Sequence, residues 1–494
     1  MTTRLTIDPI TRLEGHGKIE IFLDANGDVD RTYFQIPELR GFEAFCVGRP
    51  VEEMPSLTSR ICGVCPEAHH LAAAKAADAV YGVTPPRPAL MLRELMYDAF
   101  YVTDHTTHFY ALSGPDVILG PDAPVAERNI LGVIHKVGGE LGGRVIDTRR
   151  AGHRVIEIIG GRRVHPCTAV PGGMTKSLSV AERDEIAQIA TQMLDFASLS
   201  LEIFDQIVTG NPATRDLVLS DLFRHETYYA GLVDESGKVA FLDGRINVVA
   251  PDGEALGTYA PAEYRDWIAE HVEPWTYLKF PYLKQIGWKG FVDGKDSGVY
   301  CVGPLGRLNA ATGMATPRAH EAYERYFATL SSIVDGRRQP VHLRGASHWA
   351  RLIEMLYAAE RMIELVNDEE ITSTDVRAVP TATPTEGVGT VEAPRGTLTH
   401  HYWTDDRGIV TRVNLIVGTT NNYAPITMSI DRAARGLIHH GVVVDNGLLD
   451  RIEMAFRAYD PCFGCATHSL PGQMPLEVTL RGSDGATIDV IRRD

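Results

Sequence analysis

The sequence predicts an α+β protein, mainly α, with long central helices and small peripheral β-sheets. Apolar residues recur at helical spacing over several long stretches, and short alternating pieces with Gly-containing turns lie outside them. In addition, two Cys-X-X-Cys pairs stand near opposite ends of the chain, so whatever joins them has to be enclosed by the fold.

The helices come first. From Arg87 to Leu112, Leu92, Leu95, Met96, Ala99 and Phe100 share one face, with Asp104 and His108 a turn apart. Such a helix is long enough to cross a core. Ser179-Val-Ala-Glu182 has the form of a capping box, and Ile186, Ile189, Met193, Phe196, Phe204 and Ile207 keep the 3.6-residue period behind it. A further core helix is predicted from Trp349 through Leu352, Ile353, Leu356, Ala359, Ile363 and Val366, ending before acidic Asp368 to Glu370.

The strands are peripheral. Lys18–Leu23 and Val29–Phe34 flank Asn26-Gly27, a hairpin signal, which puts Glu14 just ahead of a strand. Residues 225–300 read as a β-rich inserted region, with Val239–Leu242 and Ile246–Val249 as strands between Ser-Gly and Asp-Gly turns. In the tail, 469–494, Leu476, Val478 and Leu480 alternate before Asp484-Gly485, and Ile488 and Val490 follow, predicting another hairpin. Neither a repeat nor a low-complexity linker breaks the chain, so 1–494 reads as a single domain.

Composition narrows the function. Hydrophobic residues make up 44% and charged residues 23%, the balance of a globular protein with a large core. The formal charge of −16 argues against nucleic acid or an anionic membrane surface as partner. Because no apolar run reaches the roughly 18 residues of a membrane span, and Met1–Thr6 lacks the apolar core of a secretion signal, the expected location is cytoplasmic. Seven cysteines are too few for a disulfide framework, so clustering among them points to metal or redox chemistry.

The pairs are Cys62-Gly-Val-Cys65 and Cys462-Phe-Gly-Cys465. Two intervening residues let both sulfurs turn to one ion, and four thiolates make a soft site for zinc, nickel or iron. Zinc ribbons separate their pairs by about 15–20 residues, whereas Cys62 and Cys462 stand 400 positions apart. Spacing leaves three readings open: structural zinc, a redox dithiol, or a catalytic metal.

Both segments together resemble the cysteine signatures of the nickel–iron hydrogenase large subunit. The resemblance extends through Pro9–His16, Asp104–Tyr110, Val170–Met174 and Ala393–Gly396 in family order. It implies the hydrogenase large-subunit fold and reversible, heterolytic splitting of H2 into protons and electrons. Cys62 and Cys462 match the terminal nickel ligands, and Cys65 and Cys465 the thiolates bridging nickel to iron, whose iron carries carbon monoxide and cyanide, Ni-Fe(CN)2(CO). Candidate bases are Cys462 and Arg395, with Glu14 relaying the proton outward and Asp104 and Asp460 orienting Arg395. Glu43 and His468 match the residues that bind a second ion, Mg2+ or Fe2+.

By the same resemblance, family precursors are commonly cut just after the final motif histidine, which makes 469–494 the matching tail and implies a maturation protease and chaperones as partners. The segment Glu273–Leu283 with Val302–Asn309 resembles the soluble multimeric branch. Because this chain lacks cysteines for an iron–sulfur chain, an Fe-S small subunit is implied, with further flavin and Fe-S electron-transfer subunits. The acceptor is then NAD(P), the deazaflavin F420, ferredoxin or a heterodisulfide system. The rivals are a metal-free respiratory-complex-like subunit, which predicts missing cysteines, a zinc-stapled structural protein, which leaves Glu14, Asp104 and Arg395 unexplained, and an H2 sensor using the same site. His69 reads as a hydrogen-bond donor to a thiolate. His105 and His108 read as satisfied core residues, and Cys46, Cys167 and Cys301 as small apolar fillers.

Overall fold

The computed structural model describes residues 3–467, 476–481 and 487–493. Long helices form the centre. Arg87–Thr107 packs against both Gly139–Gly160 and Ser347–Val366, and the latter also packs against Val180–Phe204. One continuous apolar core runs from Ile7 to Ala466, so both chain ends belong to the same interior. The capping box follows the sequence: Ser179 Oγ accepts from the Glu182 amide, and the Glu182 carboxylate accepts from the Ser179 amide.

The helix read as running to Leu112 is regular only to Thr107. It ends in one wide π turn, His108–Leu112, closed by Ser113 N donating to His108 O at 2.9 Å. The extra residue in that turn re-aims the chain after His108, one turn beyond Asp104. The Val180–Phe204 helix ends in the same way over Asp205–Thr209.

The hairpin at Asn26-Gly27 forms as predicted, pairing Lys18–Leu23 with Val29–Gln35, and Thr3–Ile7 adds a third strand on its other edge. In the β-rich region, Tyr228–Val233 lies between Arg245–Val249 and Tyr300–Cys301, with Ala255–Tyr259 outermost. Val239–Leu242 is not a strand. Only Val239 makes an isolated bridge to Val233, because this stretch turns inward and stacks Phe241 on Tyr101 at 3.7 Å instead of pairing along an edge. In the tail, Leu476–Arg481 pairs antiparallel with Thr487–Arg493.

A three-stranded antiparallel sheet, Glu386–Ala393, Gly396–Thr404 and Val410–Ile416, was not anticipated. The Pro66–Val80 helix lies directly on it. That approach depends on small residues on both sides: a Cβ on Gly389 would come within 2.1 Å of Ala72 O. Through this packing the first cysteine pair, at the head of the helix, is brought against the hairpin that carries Arg395.

Candidate metal centre

Cys62 and Cys65 occupy the turn between a short 3-10 segment, Ser59–Ile61, and the Pro66–Val80 helix. Cys65 caps the helix and Pro66 takes its first position, where a missing N–H costs no hydrogen bond. The turn aims the amides of Val64 and Cys65 at Cys62 Sγ, at 3.2 and 3.4 Å.

The second pair is held from the opposite chain end. Glu14 and Cys462 form an isolated parallel bridge, with Phe463 N donating to Glu14 O at 3.0 Å, and Cys462 N donates to Thr419 Oγ1 at 3.0 Å. Phe463 packs beside Phe34 of the N-terminal sheet. Folding therefore brings all four sulfurs within 4.8 Å of one another, every one buried. Cys62 lies 3.5 Å from Cys462, Cys65 lies 3.3 Å from Cys465, and Cys462 lies 2.7 Å from Cys465.

Four thiols this close cannot all ionise in a dry interior. The neighbouring Cys462, Cys465 and Cys65 thiols hold Cys62 well below the usual thiol range. The nearby Cys462 and Cys465 thiols favour the Cys65 thiolate, yet Cys62 and burial push it up to about 11. Burial, and then the neighbouring thiols, keep Cys462 well above its ordinary value, and burial does the same to Cys465. Only cations among the sulfurs would let all four become thiolates, so this donor set fits soft metal ions.

Glu14 and Arg395 reach the cluster from different sides. Cys462 Sγ donates to Glu14 Oε2 at 2.9 Å, and Gly464 N donates to the same oxygen at 3.0 Å. Burial raises the Glu14 pKa, the Cys62 charge adds to it, and the bonds from Cys462 and Gly464 with the more distant Arg395 oppose it.

Arg395 lies in the tight connection between Glu386–Ala393 and Gly396–Thr404. Its Nη1 and Nη2 each donate to Asp104 Oδ1 at 3.3 Å, and Nη2 stands 3.1 Å from Asp460 Oδ2. Burial disfavours its charge, but Asp104 and Asp460 outweigh that and hold the guanidinium well above its ordinary pKa. Asp460 itself has φ 55°, a left-handed conformation that a non-glycine residue keeps only where its surroundings impose it.

Several supports are invisible in the sequence. Arg307 donates to Ala393 O at 2.8 Å and Pro394 O at 3.2 Å, fixing the backbone ahead of Arg395, while Asn422 donates to Arg395 O at 3.1 Å. Arg307 is clamped by Glu354 and Glu392, at 2.6 and 2.8 Å. Thr419 and Gly464 belong to the same set. Arg307 lies within Val302–Asn309, so that segment marked the neighbourhood without its role; nothing at the sequence level singled out Thr419 or Asn422.

The remaining candidates fall as follows. His105 is bonded to Glu354 at 2.9 Å and His108 to Arg457 O at 2.9 Å, both buried. Cys46 and Cys301 are buried in the core, whereas Cys167 is half-buried. Glu43 is half-buried and accepts from Leu415 N at 2.8 Å. His468 lies outside the described residues.

Residues 40–127 and 293–468 match the family described as Nickel-dependent hydrogenase, and residues 4–39 match a HoxL-like family. The chain belongs to the nickel-dependent hydrogenases. It is a catalytic large subunit with a four-cysteine cluster, an oxidoreductase acting on H2. It is 46% identical over 489 residues to an F420-non-reducing hydrogenase iron-sulfur subunit of Archaeoglobus profundus, covering 99% of both chains. It is 38% identical over 506 residues to the NAD-reducing hydrogenase HoxS subunit beta of Cupriavidus necator, again covering 99% of each. Among solved structures, an NAD+-reducing nickel–iron hydrogenase in the H2-reduced state superposes with a TM-score of 0.87 at 39% identity, covering 94% of this chain and 100% of that one. The hydrogenase large-subunit fold predicted from the motifs is therefore the fold found, and the metal-free rival, which requires missing cysteines, is overturned. No described helix is long and apolar enough to cross a membrane.

Proposed function

We propose that this subunit splits H2 reversibly at a nickel–iron centre, with Cys62 and Cys462 as terminal nickel ligands, Cys65 and Cys465 as bridging thiolates, and carbon monoxide and cyanide on the iron. When bound, such a centre supplies the Lewis acidity that makes H2 acidic enough to lose a proton to a nearby base. The observation that carries the reading is the set of four buried sulfurs with a carboxylate bonded to one of them.

The residues divide the work. Cys462 takes the proton and Glu14, 2.9 Å away with a raised pKa, passes it outward. Arg395, clamped by two carboxylates, stays cationic and acts by charge and shape over the cluster, not as a base. Asp104 and Asp460 orient it. Electrons leave on the side of Gly63 and Val64, the exposed spacers of the first pair, toward an Fe-S small subunit seated there. Relatives named F420-non-reducing favour NAD(P), ferredoxin or a heterodisulfide system over F420 as the final acceptor, reached through flavin and Fe-S subunits in the cytoplasm.

Glu43 and His468 would hold a second Mg2+ or Fe2+ ion. In support, Arg40 N donates to Thr467 O at 2.9 Å, which draws the segment before Glu43 to the residue preceding His468. The tail 469–494 would be cut by a maturation protease, with chaperones loading the metals. The test is the metal content and infrared spectrum of the protein isolated anaerobically with its partners. About one nickel and one non-cluster iron per chain, with carbon monoxide and cyanide bands, is expected. Zinc alone, without bands, overturns the reading.

A further inference from the structure

Arg395 and Asp104 come from different elements, and their own contacts hold them loosely. Both hydrogen bonds from the guanidinium to Asp104 Oδ1 are 3.3 Å long, beyond the usual range for a charge-assisted pair. A second guanidinium is bonded to the supports of both residues, and at shorter range. Arg307, on the Gly303–Ala310 helix, is fully buried, as are Glu354 and Glu392. Its Nε and Nη2 donate to the two oxygens of Glu354 at 2.6 and 2.7 Å, and its Nη1 donates to Glu392 Oε2 at 2.8 Å. Nη1 and Nη2 also donate to the carbonyls of Ala393 and Pro394, at 2.8 and 3.2 Å. All five N–H groups of the side chain are thereby used.

These bonds reach both members of the pair. Ala393 and Pro394 directly precede Arg395, so the carbonyl bonds fix the backbone from which its side chain springs. On the other side, Glu354 Oε2 accepts from His105 Nε2 at 2.9 Å, and His105 directly follows Asp104. Tyr97, Tyr101 and His105 recur every four residues along the Arg87–Thr107 helix. Both tyrosine hydroxyls donate to Glu392 O, at 2.6 and 2.7 Å. The helix that carries Asp104 and the hairpin that carries Arg395 are therefore joined through Arg307, its two carboxylates and these hydroxyls.

We propose that Arg307 is a positioning residue for H2 activation, which sets the separation of Arg395 from Asp104 and so the place of the Arg395 guanidinium at the cysteine cluster. Its shape matters as much as its charge. A planar fork grips Glu354 with two parallel bonds and still reaches Glu392 and two carbonyls, whereas a lysine ammonium has three donors on one atom and cannot span them.

The inference rests on the reading of Arg395 as a charge placed over the cluster, and the experiment tells the two apart. Nickel content, H2/D2O exchange and the kinetics of H2 oxidation with a viologen dye are measured on the holoenzyme isolated anaerobically with its partners. The same is done for Arg307→Lys, Arg395→Lys and the double variant, with every rate taken per nickel. Misplacing Arg395 should lower exchange in Arg307→Lys by about 10- to 100-fold, with kcat lowered by the same factor and KM for H2 unchanged. In the Arg395→Lys background the same substitution should cost less than about threefold, because the group it positions is already gone. His105→Leu frees the Asp104 side alone and should lose about tenfold, with the same dependence on Arg395.

Wild-type exchange per nickel in Arg307→Lys, or an equal loss in the wild-type and Arg395→Lys backgrounds, overturns the proposal and leaves the reading of Arg395 intact. Activity lost only in proportion to nickel makes Arg307 a support for folding or loading, and overturns it as well. If Arg307→Lys takes up no nickel, His105→Leu decides alone, and an unchanged rate or an additive loss there overturns the proposal. Wild-type exchange in Arg395→Lys sinks the reading of Arg395, and the inference with it.

Discussion

The two cysteine pairs share one spacing and sit in opposite surroundings. In the first, the spacers Gly63 and Val64 are exposed, Val64 at 38%, so the loop that holds two sulfurs is also part of the protein surface. In the second, Phe463 and Gly464 are buried, and the loop is bonded to Glu14 and Thr419. On the proposed function the difference has a use: an electron can leave across a thin exposed wall, whereas a proton needs a chain of bonded groups. That reading gives each pair one of these tasks.

The sharpest way to break this division is at Glu14. Glu14→Gln keeps the shape but not the proton acceptor, and H2 turnover and H2/D2O exchange should both fall roughly 100- to 10,000-fold with nickel retained. Near-normal exchange would remove the proton role from the second pair. Next comes Gly464→Ala, whose Cβ would meet Glu14 Oε1 at 2.7 Å. Pushing that carboxylate off Cys462 should cost about 100-fold in exchange, and an unchanged rate would mean the 2.9 Å contact is dispensable.

Val64→Glu tests the other side. A charge on the exposed wall should weaken docking of the Fe-S subunit by about tenfold and lower acceptor reduction. H2/D2O exchange, which needs no partner, should stay at the wild-type rate. Loss of exchange would show that the wall belongs to the proton side as well. The smallest effect is expected at Gly63→Ala, the counterpart of Gly464→Ala: nothing lies within 4 Å of its Cβ. Stability should change by less than about 0.5 kcal/mol in a denaturant titration, and a large loss would deny that the first loop is open.

What the sequence disclosed follows the range of the interactions involved. The capping box at Ser179 and the hairpin at Asn26-Gly27 are local, and both formed where the residues placed them. The helix Gly139–Gly160 escaped notice because Gly139, Gly142 and Gly143 open it, a composition that reads as a loop. The sheet 386–416 escaped because Gly396–Thr404 is buried through most of its length and so lacks the alternation of a half-exposed strand. At the site, the cysteines, Glu14, Asp104, Arg395 and Asp460 were named from motifs, and folding brings them together. Arg307 was not, since its partners Glu354 and Glu392 stand 47 and 85 positions away and no local pattern joins them.

The distance along the chain between Cys62 and Cys462 also sets a clock. A ribosome adding roughly 5–20 residues per second exposes the first pair tens of seconds before it completes the second. Through that interval Cys62 and Cys65 are a free dithiol on an unfinished chain, open to zinc, copper or oxidation, and the Glu14 segment that pins Cys462 has nothing to pin. Filling the site is therefore an event that follows synthesis, and its fidelity depends on what guards the first pair in the meantime.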